Sequence, residues 1–252
     1  PRLSWRGQGR HMGAETPTDT AWRYFGATLK NTRGYENQDA FGRNAHTYVV
    51  ADGVSCSRNP AAAAQGAVNV ALSAVPAGNG TDWASAVIEV ADRRAREVNG
   101  QSTVTGLRFL ASDADGATLV VFQAGDSMLL RVRDGVVDRM TEMHSLVEGL
   151  VKCGQITRAQ AKRHENSNIV TSVLGYLSDK QVRRIHVQAT DALVLCTDGV
   201  HGLLESADIL RCLATENPAQ ALCEAGQAAG SSDDATAIVL FGPRYVSPPP
   251  VA

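Results

Sequence analysis

The chain has 252 residues, of which 24 are basic and 26 acidic, so its net charge is −2 at pH 7. This length allows one large α/β or α+β domain, or two small ones, with a substantial buried core. The balanced charge argues against nucleic acid or an anionic membrane as a partner, so any recognition of phosphate has to be local.

The first half of the chain predicts a strand, a polar loop, a buried strand and two helices. A strand is expected at residues 24–29, and the apolar run 47–51 predicts a buried strand that ends at Asp52-Gly53. Asn59 followed by Pro60 is typical of a helix start and predicts a helix over residues 61–74. Thr81 is the predicted cap of a second helix over residues 82–98.

Residues 103–140 alternate apolar and polar side chains, which predicts strands that include residues 118–122 and 128–132. Asp115-Gly116 and Asp134-Gly135 lie between alternating runs, and we interpret both as tight hairpin turns. Asp126 lies at the junction of two strands, where it is either a further turn residue or part of a site.

The second half begins with a helical excursion and ends in strands and helices. Ser145 and Thr157 each open a capping box, which predicts helices over residues 146–154 and 157–164. Extended segments are expected at 168–174, 182–187, 192–197 and 235–241, with helices at 206–214 and 218–229. The strand 192–197 runs into Asp198-Gly199 and so repeats the pattern of Asp52-Gly53.

Five acids lie where an apolar strand begins or ends, namely Asp39, Asp52, Asp126, Asp198 and Asp233. Carboxylates gathered in one place raise each other's pKa unless a cation compensates their charge. Oxygen ligands without His or Cys favour Mg²⁺ or Mn²⁺ over Zn²⁺. The alternative is that these acids cap helices and close turns, and for any single acid the two interpretations stay open.

In order along the chain, the motifs resemble those of the metal-dependent protein phosphatases, the type 2C serine/threonine phosphatases, and of their bacterial branch in particular. The matching segments are residues 36–41, 50–53, 124–127, 195–199 and 232–236, together with the helical excursion, which resembles the bacterial flap. The resemblance covers residues 24–241 and identifies the chain as a divergent member.

The resemblance implies an α+β fold, a four-layer α-β-β-α sandwich of two antiparallel sheets flanked by helices. We expect a single phosphatase domain at residues 21–243, with the flap at about 141–175. Residues 1–20 are the expected flexible N-terminus, in which Gly9-Arg10-His11-Met12 resembles a cloning remnant, and residues 244–252 form a Pro-rich tail.

The resemblance also implies two divalent ions, Mn²⁺ or Mg²⁺, in the cleft between the sheets. Asp52 would bridge both ions, the carbonyl of Gly53 would bind one, and Asp198 and Asp233 would complete the other. Asp39 would act through water, and Asp126 would hold a possible third ion with a flap residue. Two such ions about 4 Å apart lower the pKa of a bridging water to near 7, which supplies metal-bound hydroxide for hydrolysis of a phosphomonoester.

The substrate side departs from the family pattern. Gly34 stands where relatives usually carry the arginine that binds phosphate. We assign that catalytic role to Arg33, and Lys30 and Arg43 are further candidates. The alternative is that Arg33 is only a solvated charge in the loop. Residues 54–57 offer no acid for the leaving group, and residues 104–107 replace the usual Gly-Thr-Thr. We expect the three histidines 144, 164 and 201 to position helices or line the cleft rather than to catalyse.

The chain has five cysteines, an odd number, and none follows C-x-x-C spacing, which indicates a reduced protein. We interpret each cysteine as a small buried side chain. For Cys56 the alternative is a redox-sensitive thiol. No apolar run approaches the roughly 18 residues of a membrane helix, and the N-terminus lacks the apolar core of a signal peptide. We therefore expect a cytoplasmic monomer without a membrane partner.

These features predict a serine/threonine protein phosphatase that acts on phosphoserine and phosphothreonine proteins and opposes a cognate kinase. Two alternatives stay open at this stage. The chain could be a non-catalytic module that binds phosphoproteins, or a phosphatase for a small metabolite that uses the same metals.

Overall fold

The structure is a computed structural model that describes residues 21–33, 36–75, 80–161 and 164–247. The predicted N-terminal segment 1–20 and the last five residues of the predicted tail lie outside these ranges. The division into one domain with two flanking segments therefore stays a prediction.

Ten strands form two antiparallel five-stranded sheets. The first sheet has the order β1-β10-β9-β6-β7, and its strands are β1 (Arg23–Leu29), β6 (Met128–Arg133), β7 (Val136–Arg139), β9 (Ala192–Cys196) and β10 (Ala235–Phe241). The second has the order β2-β3-β4-β5-β8, and its strands are β2 (Asp39–Arg43), β3 (Thr47–Asp52), β4 (Val104–Ser112), β5 (Gly116–Ala124) and β8 (Gln181–Gln188).

Helices cover the outer face of each sheet, which confirms the predicted α+β sandwich. On the second sheet lie α1 (Pro60–Ser73) and α2 (Thr81–Glu97). Two short helices, α3 (Leu146–Lys152) and α4 (Arg158–Ala161), belong to the flap. On the first sheet lie α5 (Asp198–His201), α6 (Ser206–Leu213) and α7 (Pro218–Ala228).

The central strands are mostly apolar because both of their faces are buried. In β3, Tyr48 and Val50 point into the core between the sheets, whereas Val49 and Ala51 point into the core under α1 and α2. From the first sheet, Leu195 and Ile238 enter the same inter-sheet core. Full burial of a Leu or Ile side chain contributes about 1.5–3 kcal/mol, so this core holds the two sheets together.

Several local predictions are confirmed. The last strand has the predicted bounds, and Asp134 and Gly135 have positive φ values of 50° and 74°, as a two-residue hairpin turn requires. In the flap, the Ser145 hydroxyl accepts a hydrogen bond from the Glu148 amide and caps α3. The Glu148 side chain does not complete the box, because it pairs instead with two flap-side arginines, Arg139 and Arg158.

Other local predictions are wrong. Thr81 is the first residue of α2 rather than its cap, and the cap position is Gly80, with φ at 85°. Asn59 does cap α1, but its side chain donates to the Val98 carbonyl at 2.6 Å instead of bonding to the helix. Residues 168–174 form only isolated bridges and no strand.

The cysteines divide into two groups. All five are free, and burial raises the pKa of Cys196, Cys212 and Cys223, which are buried as predicted. Cys56 and Cys153 are exposed, so the interpretation of every cysteine as buried is wrong for these two. No helix in the described ranges combines the length and the apolar character needed to cross a membrane.

Candidate metal centre

Two of the acids lie side by side at the end of the second sheet. Asp39 begins β2 and Asp52 ends β3, and the antiparallel register places them directly opposite each other. Side chains at paired positions of an antiparallel sheet share one face. The strand β2, which the sequence did not reveal, therefore brings Asp39 to Asp52.

The third acid comes from the first sheet. Asp198 is the first residue of α5 and follows β9 after a single residue, Thr197. The Thr197 hydroxyl donates to Asp39 Oδ2 at 2.9 Å, and the charges of Asp39 and Asp198 both raise the pKa of Asp52. The two Asp-Gly strand ends, 146 positions apart in the chain, therefore meet across the cleft between the sheets.

Asp126 and Asp233 lie around these three. Asp126 is in the loop that carries the chain from β5 to β6, and its side chain is almost completely buried. Asp233 is exposed and precedes β10 by one residue. The charges of both raise the pKa of Asp52 and of Asp198, so all five predicted acids act on one region.

The pKa values of the enclosed acids are raised, first by burial and then by neighbouring carboxylates. The pKa of Asp39 rises to about 7 and that of Asp126 to about 6. The pKa values of Asp52 and Asp198 lie well above the ordinary aspartate value of 3.8. Asp39, Asp52 and Asp198 nevertheless keep an intermediate exposure to solvent, so the cleft reaches them from outside.

The donor set fits a divalent cation. Among the described residues, Asp39 Oδ1 and Asp198 Oδ1 are buried without a hydrogen-bond partner. In the same residues, however, no group of three or more His, Cys, Asp and Glu side chains is arranged to hold a metal ion. The unpartnered oxygens of Asp39 and Asp198 are the atoms that a bound cation would engage.

A network of hydroxyl groups bonds to the backbone of Asp52, and it was not predicted from the sequence. Thr103 Oγ1 accepts from the Asp52 amide at 3.0 Å and bonds to Ser127 Oγ at 2.7 Å. Ser102 Oγ donates to the Asp52 carbonyl at 2.9 Å. Residues 104–107, which we matched to the usual Gly-Thr-Thr, lie inside β4, so Ser102 and Thr103 are the residues that precede the strand. Their two hydroxyls directly before an apolar run were the available signal.

Two histidines fix the loop that carries Asp126. His144 Nδ1 accepts from the Gly125 amide at 3.1 Å, and His201 Nε2 donates to the Asp126 carbonyl at 3.1 Å. Burial lowers the pKa of both, to about 4 for His201. His164 accepts from the amide of Asn166 within its own turn.

The two glycines of the Asp-Gly pairs are required by close contacts. A Cβ at Gly199 would lie 1.9 Å from the Asp234 carbonyl oxygen, and one at Gly53 would lie 2.6 Å from the backbone of Pro60. The turn glycine Gly135 differs, because an added Cβ there meets nothing within 4 Å.

Arg33 lies at the edge of the acid cluster. Its guanidinium is exposed and donates to Ser232 Oγ at 2.5 Å, next to Asp233. Arg43 instead stacks over Tyr24, 4.6 Å from the ring centroid, at the far end of β2. Gly34 lies outside the described residues.

The chain is similar to known protein phosphatases. The family model for protein phosphatase 2C matches residues 28–229. The serine/threonine phosphatase stp of Listeria welshimeri is 28% identical over 192 residues, which cover 70% of this chain and 75% of that protein. A putative protein phosphatase 2C-type protein of Streptococcus pyogenes is 30% identical over 144 residues, about half of each chain (54% and 56%).

Solved structures are similar over most of their length. The PPM Ser-Thr phosphatase MsPP from Mycobacterium smegmatis, in complex with cacodylate, superposes with a TM-score of 0.76 at 25% identity and covers 87% of this chain and 97% of that one. The catalytic domain of the phosphatase PstP, in complex with two manganese ions, gives a TM-score of 0.75 at 21% identity, with 87% and 97% covered, and shows the likeness of fold.

Proposed function

This chain belongs to the protein phosphatase 2C family and is a phosphoprotein phosphatase, and we propose that it hydrolyses phosphoserine and phosphothreonine monoesters at a binuclear Mn²⁺ or Mg²⁺ centre. The observation that carries the proposal is the meeting of Asp39, Asp52 and Asp198 from both sheets, with two buried oxygens that have no partner. A cluster of this charge is stable at neutral pH only when protons or cations compensate it.

In the proposed centre, Asp52, the Gly53 carbonyl, Asp198 and Asp233 would hold the two ions. Asp39 would act through water, and Asp126 would hold a third ion. When bound, the ions would neutralise phosphate charge and lower the pKa of a water molecule to near 7.

The chain's own groups bind and orient the substrate. The exposed guanidinium of Arg33 can donate two parallel hydrogen bonds to phosphate oxygens, which positions the ester for in-line attack. His144 and His201 are neutral at pH 7, because burial lowers their pKa, and neither can protonate the leaving group. The residues after Gly53 provide no acid either, so the leaving alkoxide takes its proton from water.

The decisive experiment is phosphate release from a phosphothreonine peptide with and without Mn²⁺. We expect turnover that a chelator stops, and a loss of at least about a thousandfold for Asp52→Asn, since removal of one preorganised electrostatic group commonly costs that much. Asp134→Asn is the matched control, because Asp134 belongs to the same dipeptide but lies in an exposed turn at positive φ, which asparagine also adopts.

Three outcomes would contradict the proposal. Full activity of Asp52→Asn would show that Asp52 is not an essential ligand of the metal ions. A metal-loaded wild-type protein that binds phosphopeptide without turnover would be a binding module, and turnover of small phosphorylated metabolites alone would indicate a metabolite phosphatase.

The remaining expectations stay predictions. We propose that the protein acts as a cytoplasmic monomer on phosphoproteins and that a cognate kinase supplies its substrates. A phosphatase of phosphoserine and phosphothreonine requires a kinase for these residues, because only a kinase produces its substrate.

A further inference from the structure

We propose that Asp234 is a positioning residue that holds the loop carrying Arg33, an inference that rests on the proposed function because it assumes that Arg33 binds the substrate phosphate. The Asp234 side chain is nearly buried and accepts three hydrogen bonds. Oδ1 accepts from the amide of Asn31 at 2.6 Å and from its Nδ2 at 2.8 Å, and Oδ2 accepts from the amide of Gln38 at 2.7 Å.

These donors are the two ends of one loop. Asn31 and Arg33 follow β1 of the first sheet, and Gln38 directly precedes β2 of the second. A single carboxylate at the start of β10 therefore holds both ends of the loop. The guanidinium of Arg33 also returns to the same segment, since it donates to Ser232, two residues before Asp234.

The neighbouring acid has a different environment. Asp233 is exposed and its Oδ1 accepts from the Asp234 amide at 2.9 Å, whereas the two carboxylate oxygens of Asp234 accept from three N–H groups of the loop. The link continues beyond the loop, because the Gln38 carbonyl accepts from the Gly53 amide at 3.1 Å. Asp234 thus connects the Arg33 loop to the backbone that follows Asp52.

A fixed loop binds phosphate more tightly than a mobile one, because less conformational freedom is lost on binding. Alanine at position 234 would remove these three hydrogen bonds and loosen the loop. Each such bond to a charged acceptor is worth about tenfold or more in an equilibrium constant. We expect Asp234→Ala to raise KM for a phosphothreonine peptide about tenfold, with kcat changed by less than about threefold, and to weaken inhibition by inorganic phosphate to the same extent.

A double-mutant cycle tests whether Asp234 acts through Arg33. If it does, Arg33→Ala and the double variant Arg33→Ala/Asp234→Ala should have the same KM, because the second change removes nothing further. Asp191→Ala is the matched control. Asp191 is a fully buried carboxylate that binds Arg133 at the opposite end of β9, so its loss should lower stability and leave KM unchanged.

Hydrogen exchange tests the same proposal without turnover. In Asp234→Ala, the amides of Asn31 and Gln38 should exchange at least about tenfold faster, while those of β10 stay protected. Asp234→Asn keeps the volume and two of the three acceptor contacts, so only the Gln38 amide should exchange faster, and this variant serves if the alanine variant does not fold.

An inactive wild-type protein would refute the proposed function and leave the exchange result to decide the role of Asp234. An unchanged KM in Asp234→Ala, independent effects in the cycle, or unchanged exchange at both amides would overturn the inference.

Discussion

Replacement of Asp39 by asparagine is expected to stabilise the metal-free protein at neutral pH. In the folded protein the pKa of Asp39 is about 7, against the ordinary 3.8, mainly because burial penalises the charged form. The folded state therefore keeps a proton that the unfolded state releases between about pH 4 and pH 7. The stabilisation that this bound proton gives is fully present below the pKa of Asp39 in the unfolded state. It is lost as the pH rises through the pKa of Asp39 in the folded state.

The magnitude follows from the difference between the two pKa values. At about 1.4 kcal/mol for each pH unit, ionised Asp39 costs the folded state about 4 kcal/mol above pH 7. This is an upper bound, because Asp39 keeps an intermediate exposure to the cleft and solvent screens part of its charge. Asparagine keeps the acceptor for the Thr197 hydroxyl and carries no charge.

Urea unfolding of chelator-treated protein at pH 5 and pH 8 is the assay. The free energy of unfolding of Asp39→Asn relative to wild type should increase by about 2 kcal/mol between these pH values. Comparison of two pH values cancels any pH-independent effect of the substitution, and the exposed Asp134→Asn should show no such increase. Saturating Mn²⁺ at pH 8 should remove most of the difference. A stability difference that does not depend on pH, or that shrinks at pH 8, would refute the reasoning.

Two further predictions concern stability and protonation. Gly149→Ala should stabilise the protein by about 0.5–1 kcal/mol in urea unfolding, because Gly149 is an exposed residue of α3 with open space around an added Cβ. Gly199→Ala should destabilise the protein by about 2 kcal/mol or more, because the Cβ would overlap the Asp234 carbonyl. A higher free energy of unfolding for Gly199→Ala than for Gly149→Ala would contradict this prediction. In NMR titrations, the His201 ring should stay neutral down to about pH 5, since burial lowers its pKa to about 4, and a midpoint near 6.5 would show that the ring is solvated.

The fold was largely predictable because its central strands are buried on both faces. Runs such as residues 48–51 and 192–196 are apolar without interruption, and an Asp-Gly pair follows each of them directly or after one residue. Strand β2 was not predictable from periodicity, because it has five residues and only Ala40 among them is buried. Its pairing with β3 is a tertiary contact that brings Asp39 opposite Asp52.

The sequence predicted which acids lie close enough to raise each other's pKa, but not the residues that surround them. The dipeptide Asp233-Asp234 does not reveal which acid is exposed and which is enclosed by three N–H groups, because that depends on a loop 200 positions earlier in the chain. The roles of Ser102 and Thr103 depend in the same way on contacts with Asp52 that periodicity does not encode.

The inter-sheet core has a consequence for how this protein can vary. Asp52 ends a strand of the second sheet and Asp198 follows a strand of the first, so the distance between them depends on side chains such as Leu107, Leu195 and Ile238, which fill the space between the sheets. The size of these side chains therefore sets how far apart the two carboxylates lie. Neither sheet alone positions the pair, so the proposed ion site can form only after the two sheets have packed together. Substitutions that change the size of these buried apolar residues would therefore change the affinity for cations, even if every acid were retained.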